Sequence, residues 1–150
     1  MKLRLKLDVD KCVACGACVV ACMDQNDIDT DVTSPLRRIA EYDRNGEYYY
    51  ISVSCMHCDD APCIEGCPSG VLRKDPLTDL TVYDNTNCIG CRSCSMACPV
   101  GAPSVRDGKM IKCDGCIVRQ EFGYEPACVL VCPTGALKMI DEDAEESAEC

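Results

Sequence analysis

Sixteen cysteines in four groups of four limit what this chain can fold into more than any other feature of its sequence. The first group is Cys12, Cys15, Cys18 and Cys22, spaced C-x2-C-x2-C-x3-C. The second is Cys55, Cys58, Cys63 and Cys67, spaced C-x2-C-x4-C-x3-C. The third is Cys88, Cys91, Cys94 and Cys98, which repeats the first spacing, and the fourth is Cys113, Cys116, Cys128 and Cys132, spaced C-x2-C-x11-C-x3-C. Pro68, Pro99 and Pro133 follow the last cysteine of three groups; Met23 takes that place in the first. A chain of 150 residues with no Trp and one Phe has few large apolar side chains once its cysteines are set aside. Disulfides or metals must then support the fold.

The spacing opposes disulfides. Cysteines two residues apart in one loop are poor bridging partners. Residues 1–10 alternate charged and apolar like a strand, without an apolar run of signal-peptide length or a twin-arginine pair. No stretch approaches the roughly 18 apolar residues of a membrane span. The expectation is a reduced, cytoplasmic setting with no direct membrane span, where cysteine patterns mean metal or redox chemistry; export as the passenger of a signal-bearing partner is the exception to that rule. A net charge of −10 and a pI near 4.5 oppose a nucleic-acid partner. Zinc ribbons use two C-x2-C pairs but need neither the third cysteine nor the repeated Cys-Pro ending. The C-x4-C-x2-C spacing of plant-type [2Fe–2S] proteins is absent.

Three thiolates close in sequence can wrap one face of a [4Fe–4S] cubane. The fourth, three residues on, begins a helical turn that points away and reaches a different cluster, as in bacterial ferredoxins. Proline after it ends the loop. Small residues such as Ala14, Gly16, Ala17 and Gly90 let backbone N–H groups approach the sulfurs. Four groups therefore predict four [4Fe–4S] clusters on an α+β chain of short helices and short strands. Groups two and three, with a strand around Leu80–Tyr83 after a turn at Asp75-Pro76, read as one bacterial-type 2[4Fe–4S] ferredoxin-like unit. Groups one and four make a second if the chain folds back, and Pro133-Thr134-Gly135-Ala136-Leu137 mirrors Pro68-Ser69-Gly70-Val71-Leu72. The expected organisation is two nested units: an outer one over 1–22 and 99–140, an inner one over 55–98, an insertion over 23–54 and an acidic tail over 141–150.

Within the insertion, Leu36–Tyr42 and Glu47–Val53 flank Asp43-Arg44-Asn45-Gly46 and predict a β-hairpin. Tyr48, Tyr49 and Tyr50 cannot all face one side, so the hairpin either covers a cluster or offers a docking face. The only histidine, His57, sits inside the second group and suits packing or a hydrogen bond that tunes a cluster better than ligation. Lys112, beside Cys113, either tunes a cluster by its charge or is a solvated lysine. The tail reads as solvated and frayed, and Cys150 has no neighbouring cysteine to complete a site. No nucleophile–base pair and no flavin or nucleotide motif is present, so no catalytic residue is expected.

The runs SVSCMHCDDAPCIEGCPSG, CIGCRSCSMACPVGAP and KCDGC resemble the four-cluster iron–sulfur subunit of the dimethyl sulfoxide reductase family of molybdenum and tungsten oxidoreductases, over about Lys6 to Leu137. The resemblance implies that group one pairs with group four and group two with group three. One cluster would take Cys12, Cys15, Cys18 and Cys132, and its neighbour Cys113, Cys116, Cys128 and Cys22. A third would take Cys55, Cys58, Cys63 and Cys98, and the last Cys88, Cys91, Cys94 and Cys67. It also implies an electron-transfer subunit that serves a large molybdenum- or tungsten-pterin catalytic subunit of formate, aldehyde or DMSO-reductase type, with or without a further electron-acceptor subunit. Many members of that family carry a C-terminal extension for a membrane anchor; the acid that follows group four here leads one to expect a soluble complex instead. The alternative is a polyferredoxin subunit of a hydrogenase, other redox complex or filament without a pterin partner; the metal that co-purifies separates the two.

Overall fold

The computed structural model describes residues 1–144. Its elements run β1 (Leu3–Leu7), α1 (Ala17–Gln25), β2 (Arg38–Arg44), β3 (Glu47–Val53), α2 (Pro62–Glu65), β4 (Leu72–Lys74), β5 (Thr81–Tyr83), α3 (Ser93–Ala97), β6 (Ser104–Arg106), β7 (Lys109–Ile111), α4 (Ile117–Glu121), α5 (Ala127–Leu130) and β8 (Leu137–Asp141). The strands form four separate antiparallel pairs: β1–β8, β2–β3, β4–β5 and β6–β7. This is a small α+β architecture.

Helix length follows the residue after each group's last cysteine. Proline cannot extend a helix, and it biases the residue before it to extended backbone. So α2, α3 and α5 stop before Cys67-Pro68, Cys98-Pro99 and Cys132-Pro133, at 4, 5 and 4 residues. Met23 imposes no such stop, and α1 runs through Cys22 to Gln25 over 9 residues. The helices meet in two pairs, α1 with α5 and α2 with α3.

β1 and β8 join the two ends of the described chain in register Leu3↔Asp141 to Leu7↔Leu137. This sheet packs on the middle of the chain: Leu3 shares a buried cluster with Leu80 and Val82, and its N–H donates to Thr78 O at 2.9 Å. Arg4, buried, forms ion pairs with Asp59 and Asp79. The β6–β7 hairpin also leans inward. Met110 packs among Val71, Leu72 and Cys94, and its carbonyl accepts from Asn85 Nδ2 at 3.0 Å.

The β2–β3 hairpin forms two residues later on its first arm than the pattern suggests. Asp43 and Arg44 belong to the strand, and the turn is Asn45-Gly46 alone, with φ of 57° and 86°. That two-residue left-handed turn matches the twist of the strands it joins. The acidic segment is ordered at its start: β8 runs through Asp141, whose carboxylate accepts the Lys2 N–H at 2.9 Å, and Glu142 pairs with Lys2 Nζ at 3.1 Å. Residues 145–150, including Cys150, lie outside the described residues. No helix among the described residues is long and apolar enough to cross a membrane.

Candidate metal centres

The same backbone conformation opens all four cysteine groups. The second residue after each group's first cysteine is left-handed: Ala14 (φ 55°), His57 (φ 50°), Gly90 (φ 68°) and Gly115 (φ 75°). This turns consecutive N–H groups and thiols to one side. Glycine is required twice for a further reason: a Cβ on Gly90 would collide with the Gly108 carbonyl, and one on Gly115 would lie 2.7 Å from Leu80 Cδ1. Backbone N–H groups then reach sulfur. Gly90 and Met110 donate to Cys88 Sγ at 3.4 and 3.3 Å, Gly115 to Cys113 Sγ at 3.4 Å, and Ala102 to Cys98 Sγ at 3.3 Å.

All sixteen cysteines of the four groups are free thiols; Cys15 and Cys91 are exposed, Cys18, Cys22, Cys55, Cys63, Cys94, Cys113 and Cys128 are buried, and Cys12, Cys58, Cys67, Cys88, Cys98, Cys116 and Cys132 are half-buried. Two small cavities bring the last cysteine of one group to the first three of another. One is lined by Cys12, Cys15, Cys18 and Cys132. The other is lined by Cys67, Cys88, Cys91 and Cys94. Elsewhere Cys22 comes close enough to Cys128 and Cys116 to feel their charge, and Cys63 does so with Cys55 and Cys98. Successive sets also touch: Cys18 with Cys128, Cys55 with Cys113, and Cys63 with Cys94 share buried clusters.

The donor set fits cubanes. A single ion needs its ligands converged on one point, and no three His, Cys, Asp or Glu side chains among the described residues do that. Four thiolates on a cubane each hold a different iron, so they surround a volume. Burial pushes the Cys22 thiol up to about 12, with the Arg37 guanidinium opposing it, and pushes Cys113 higher still. Iron must displace these protons to bind.

His57 is fully buried and serves a group other than its own. Its Nδ1 accepts the Thr81 N–H at 3.0 Å, and its Nε2 faces Cys113 Sγ at 3.8 Å. Burial, then the charge of Lys112, holds its pKa well below the usual range, so the ring is neutral. Lys112 is not a solvated lysine: at 1% exposure its Nζ lies 3.6 Å from Cys55 Sγ and 2.7 Å from the Cys113 carbonyl, and it also donates to Thr81 O.

Arg37 escapes sequence reasoning. It is 2% exposed, with Nη1 on Ser52 Oγ at 2.8 Å and Nη2 on Ser54 Oγ at 2.7 Å, and Ser52 Oγ lies 3.3 Å from Cys18 Sγ. Nothing in Leu36-Arg37-Arg38 marks the first arginine as buried and the second as exposed; only the start of β2 separates them. The hairpin's base covers the first site, since Ile39 and Ser52 line its cavity, while Tyr42 and Tyr48 near the tip are 55% and 58% exposed.

Comparison with known proteins points to iron–sulfur proteins. Residues 46–142 match a 4Fe-4S dicluster domain family, and residues 11–71 match a second family of the same description. The first span holds groups two to four and the second groups one and two, so neither follows the nested halves. The chain is 42% identical to YnfG, a probable anaerobic dimethyl sulfoxide reductase subunit of Escherichia coli, over 88% of this chain and 70% of that one. It is 42% identical to the B subunit of the anaerobic dimethyl sulfoxide reductase of the same organism, over 91% and 73%. It is 34% identical to the iron-sulfur subunit of the nitrate-inducible formate dehydrogenase of Escherichia coli, over 87% and 51%. The chain thus belongs to the ferredoxin-like 4Fe-4S dicluster proteins, in the family that includes the B subunits of anaerobic dimethyl sulfoxide reductases.

Proposed function

We propose that this chain holds four [4Fe–4S] clusters and is the non-catalytic electron-transfer subunit of a complex whose large subunit carries a molybdenum or tungsten pterin. The observation that carries the reading is the cavity in which Cys132 meets Cys12, Cys15 and Cys18 from the other end of the chain. The proposed ligand sets are that one, then Cys22, Cys113, Cys116 and Cys128, then Cys55, Cys58, Cys63 and Cys98, then Cys67, Cys88, Cys91 and Cys94. They amount to two nested ferredoxin-like units, and the β1–β8 pairing supports the nesting.

Bound cubanes supply one-electron storage and transfer. The chain's residues position and insulate them. The pairs Cys18–Cys128, Cys55–Cys113 and Cys63–Cys94 support a single-file order of the four sets as just given. Cys15 at one end and Cys91 at the other are exposed, which supports these two edges as the points of electron entry and exit. We assign no acid–base role: the one histidine is buried, neutral and held by Thr81.

Anaerobic purification of the complex followed by metal analysis tests this. About sixteen irons per chain, with molybdenum or tungsten in a co-purifying large subunit, is the expected result. Nickel or a diiron site in the partner, or turnover of an organic substrate by the isolated chain, would contradict it.

A further inference from the structure

Arg37 and Lys112 are 2% and 1% exposed, and among the described residues neither is paired with a carboxylate. Arg37 holds two serine hydroxyls and the Ser52 carbonyl, and its Nε has no partner. Lys112 holds two carbonyls and approaches one thiol. Burying a cation costs far more than neutral hydrogen bonds return, so each of these two needs an anion that the polypeptide does not supply as a carboxylate.

Each stands where two cysteine sets meet. Arg37 reaches Cys18 through Ser52 on one side and bears on the Cys22 and Cys128 thiols on the other. Lys112 touches Cys55 Sγ on one side and the Cys113 carbonyl on the other. At the third junction, Cys63 to Cys94, the buried residues packed together are Ala61, Val71, Leu72 and Met110.

We propose that Arg37 and Lys112 are charge-compensating positioning residues at the first two junctions, raising the reduction potentials of the three sites they touch and leaving the Cys67, Cys88, Cys91 and Cys94 site outside their reach. Each one-electron reduction adds a negative charge to a site, and a fixed, desolvated cation beside it stabilises the reduced form. The inference rests on the ligand sets proposed above.

The test is an EPR-monitored redox titration, with iron analysis, of the complex carrying Arg37→Met or Lys112→Met. Each variant should lower two of the four midpoints by about tenfold or more in the oxidised-to-reduced ratio, which is 59 mV for one electron. One midpoint should move in both variants and one in neither. Arg37→Lys and Lys112→Arg should keep the wild-type midpoints. Full iron with all four midpoints unmoved, or with all four moved alike, overturns the proposal. If a methionine variant loses iron, full loading in its charge-keeping counterpart supports the charge requirement, and loss in both overturns it. A wild-type iron content far from sixteen would overturn the ligand sets instead.

Discussion

His57 Nε2 faces Cys113 Sγ at 3.8 Å, so the histidine of the second cysteine group serves a sulfur of the fourth. Because Nδ1 accepts the Thr81 N–H at 3.0 Å, a neutral ring must carry its proton on Nε2, aimed at that sulfur. Hydrogen bonds to cluster sulfurs raise reduction potential. His57→Asn tolerates the left-handed φ of 50° but falls short of Cys113. A redox titration should show full iron and a lower midpoint for the site holding Cys113. Denaturation should show a loss of about 1–3 kcal/mol from the orphaned Thr81 N–H.

Arg4 clamps the β1–β8 sheet to the middle of the chain through Asp59 and Asp79. Hydrogen bonds from Arg4 and Lys2 hold Asp59 below the usual carboxylate range; burial pushes Asp79 up, but Arg4 and Lys74 outweigh it and hold it low as well. Depressed carboxylates stabilise the fold above their unfolded pKa, about 3.9, and lose that contribution as pH falls through the lower folded values. Arg4→Met should therefore lower the denaturant midpoint by a constant amount from neutral pH down to about pH 4. The difference from wild type should then shrink as pH falls through the lower folded values. A difference that grew as pH fell would contradict the clamp.

Gly115 combines a φ of 75° with a side-chain position 2.7 Å from Leu80 Cδ1, and Leu80 is fully buried. Gly115→Ala should cost on the order of 1–3 kcal/mol from backbone strain and a displaced Leu80. Chemical denaturation of the iron-loaded protein measures it. A variant as stable as wild type would show that the loop conformation is not enforced.

Iron–sulfur chemistry was legible because cubane binding is a local demand. In the first three groups three thiolates stand within a few residues, and three of the four groups end in Cys-Pro. The β2–β3 hairpin was legible from Asn45-Gly46, though its first arm starts and ends two residues later than expected because Asp43 and Arg44 extend the strand. The β6–β7 hairpin carries a comparable signal, Asp107-Gly108, both with positive φ. Its three-residue arms are too short to show an alternating pattern. Arg37 and the turning inward of Lys112 leave no trace at all, since their burial depends on contacts across the chain with Ser52, Ser54, Cys55 and Thr81. The acids at the start of the tail are paired rather than frayed, and the sequence does not show it because their partners, Lys2 and Arg4, stand at the opposite end of the chain.

Among the described residues, cysteine side chains take part in four of the five buried apolar clusters, all but the one around Leu80. Iron and sulfide then fill the interior as well as serving redox chemistry, and metal binding is coupled to folding. Removing iron with a chelator under reducing conditions should abolish the far-UV circular dichroism of the native chain, and anaerobic reconstitution should restore it. Cooperative unfolding of the iron-free chain, with native dichroism beforehand, would contradict this.

Cys132→Ala tests the exchange of fourth ligands most directly. The shared cavity predicts that this change at the end of group four damages the site of Cys12, Cys15 and Cys18. Iron analysis with EPR should show that signal lost or converted to a three-iron form, while the site of Cys113, Cys116 and Cys128 stays intact. Damage at the Cys113 site with the Cys12 site untouched, or four unchanged EPR signals, would contradict the exchanged pairing.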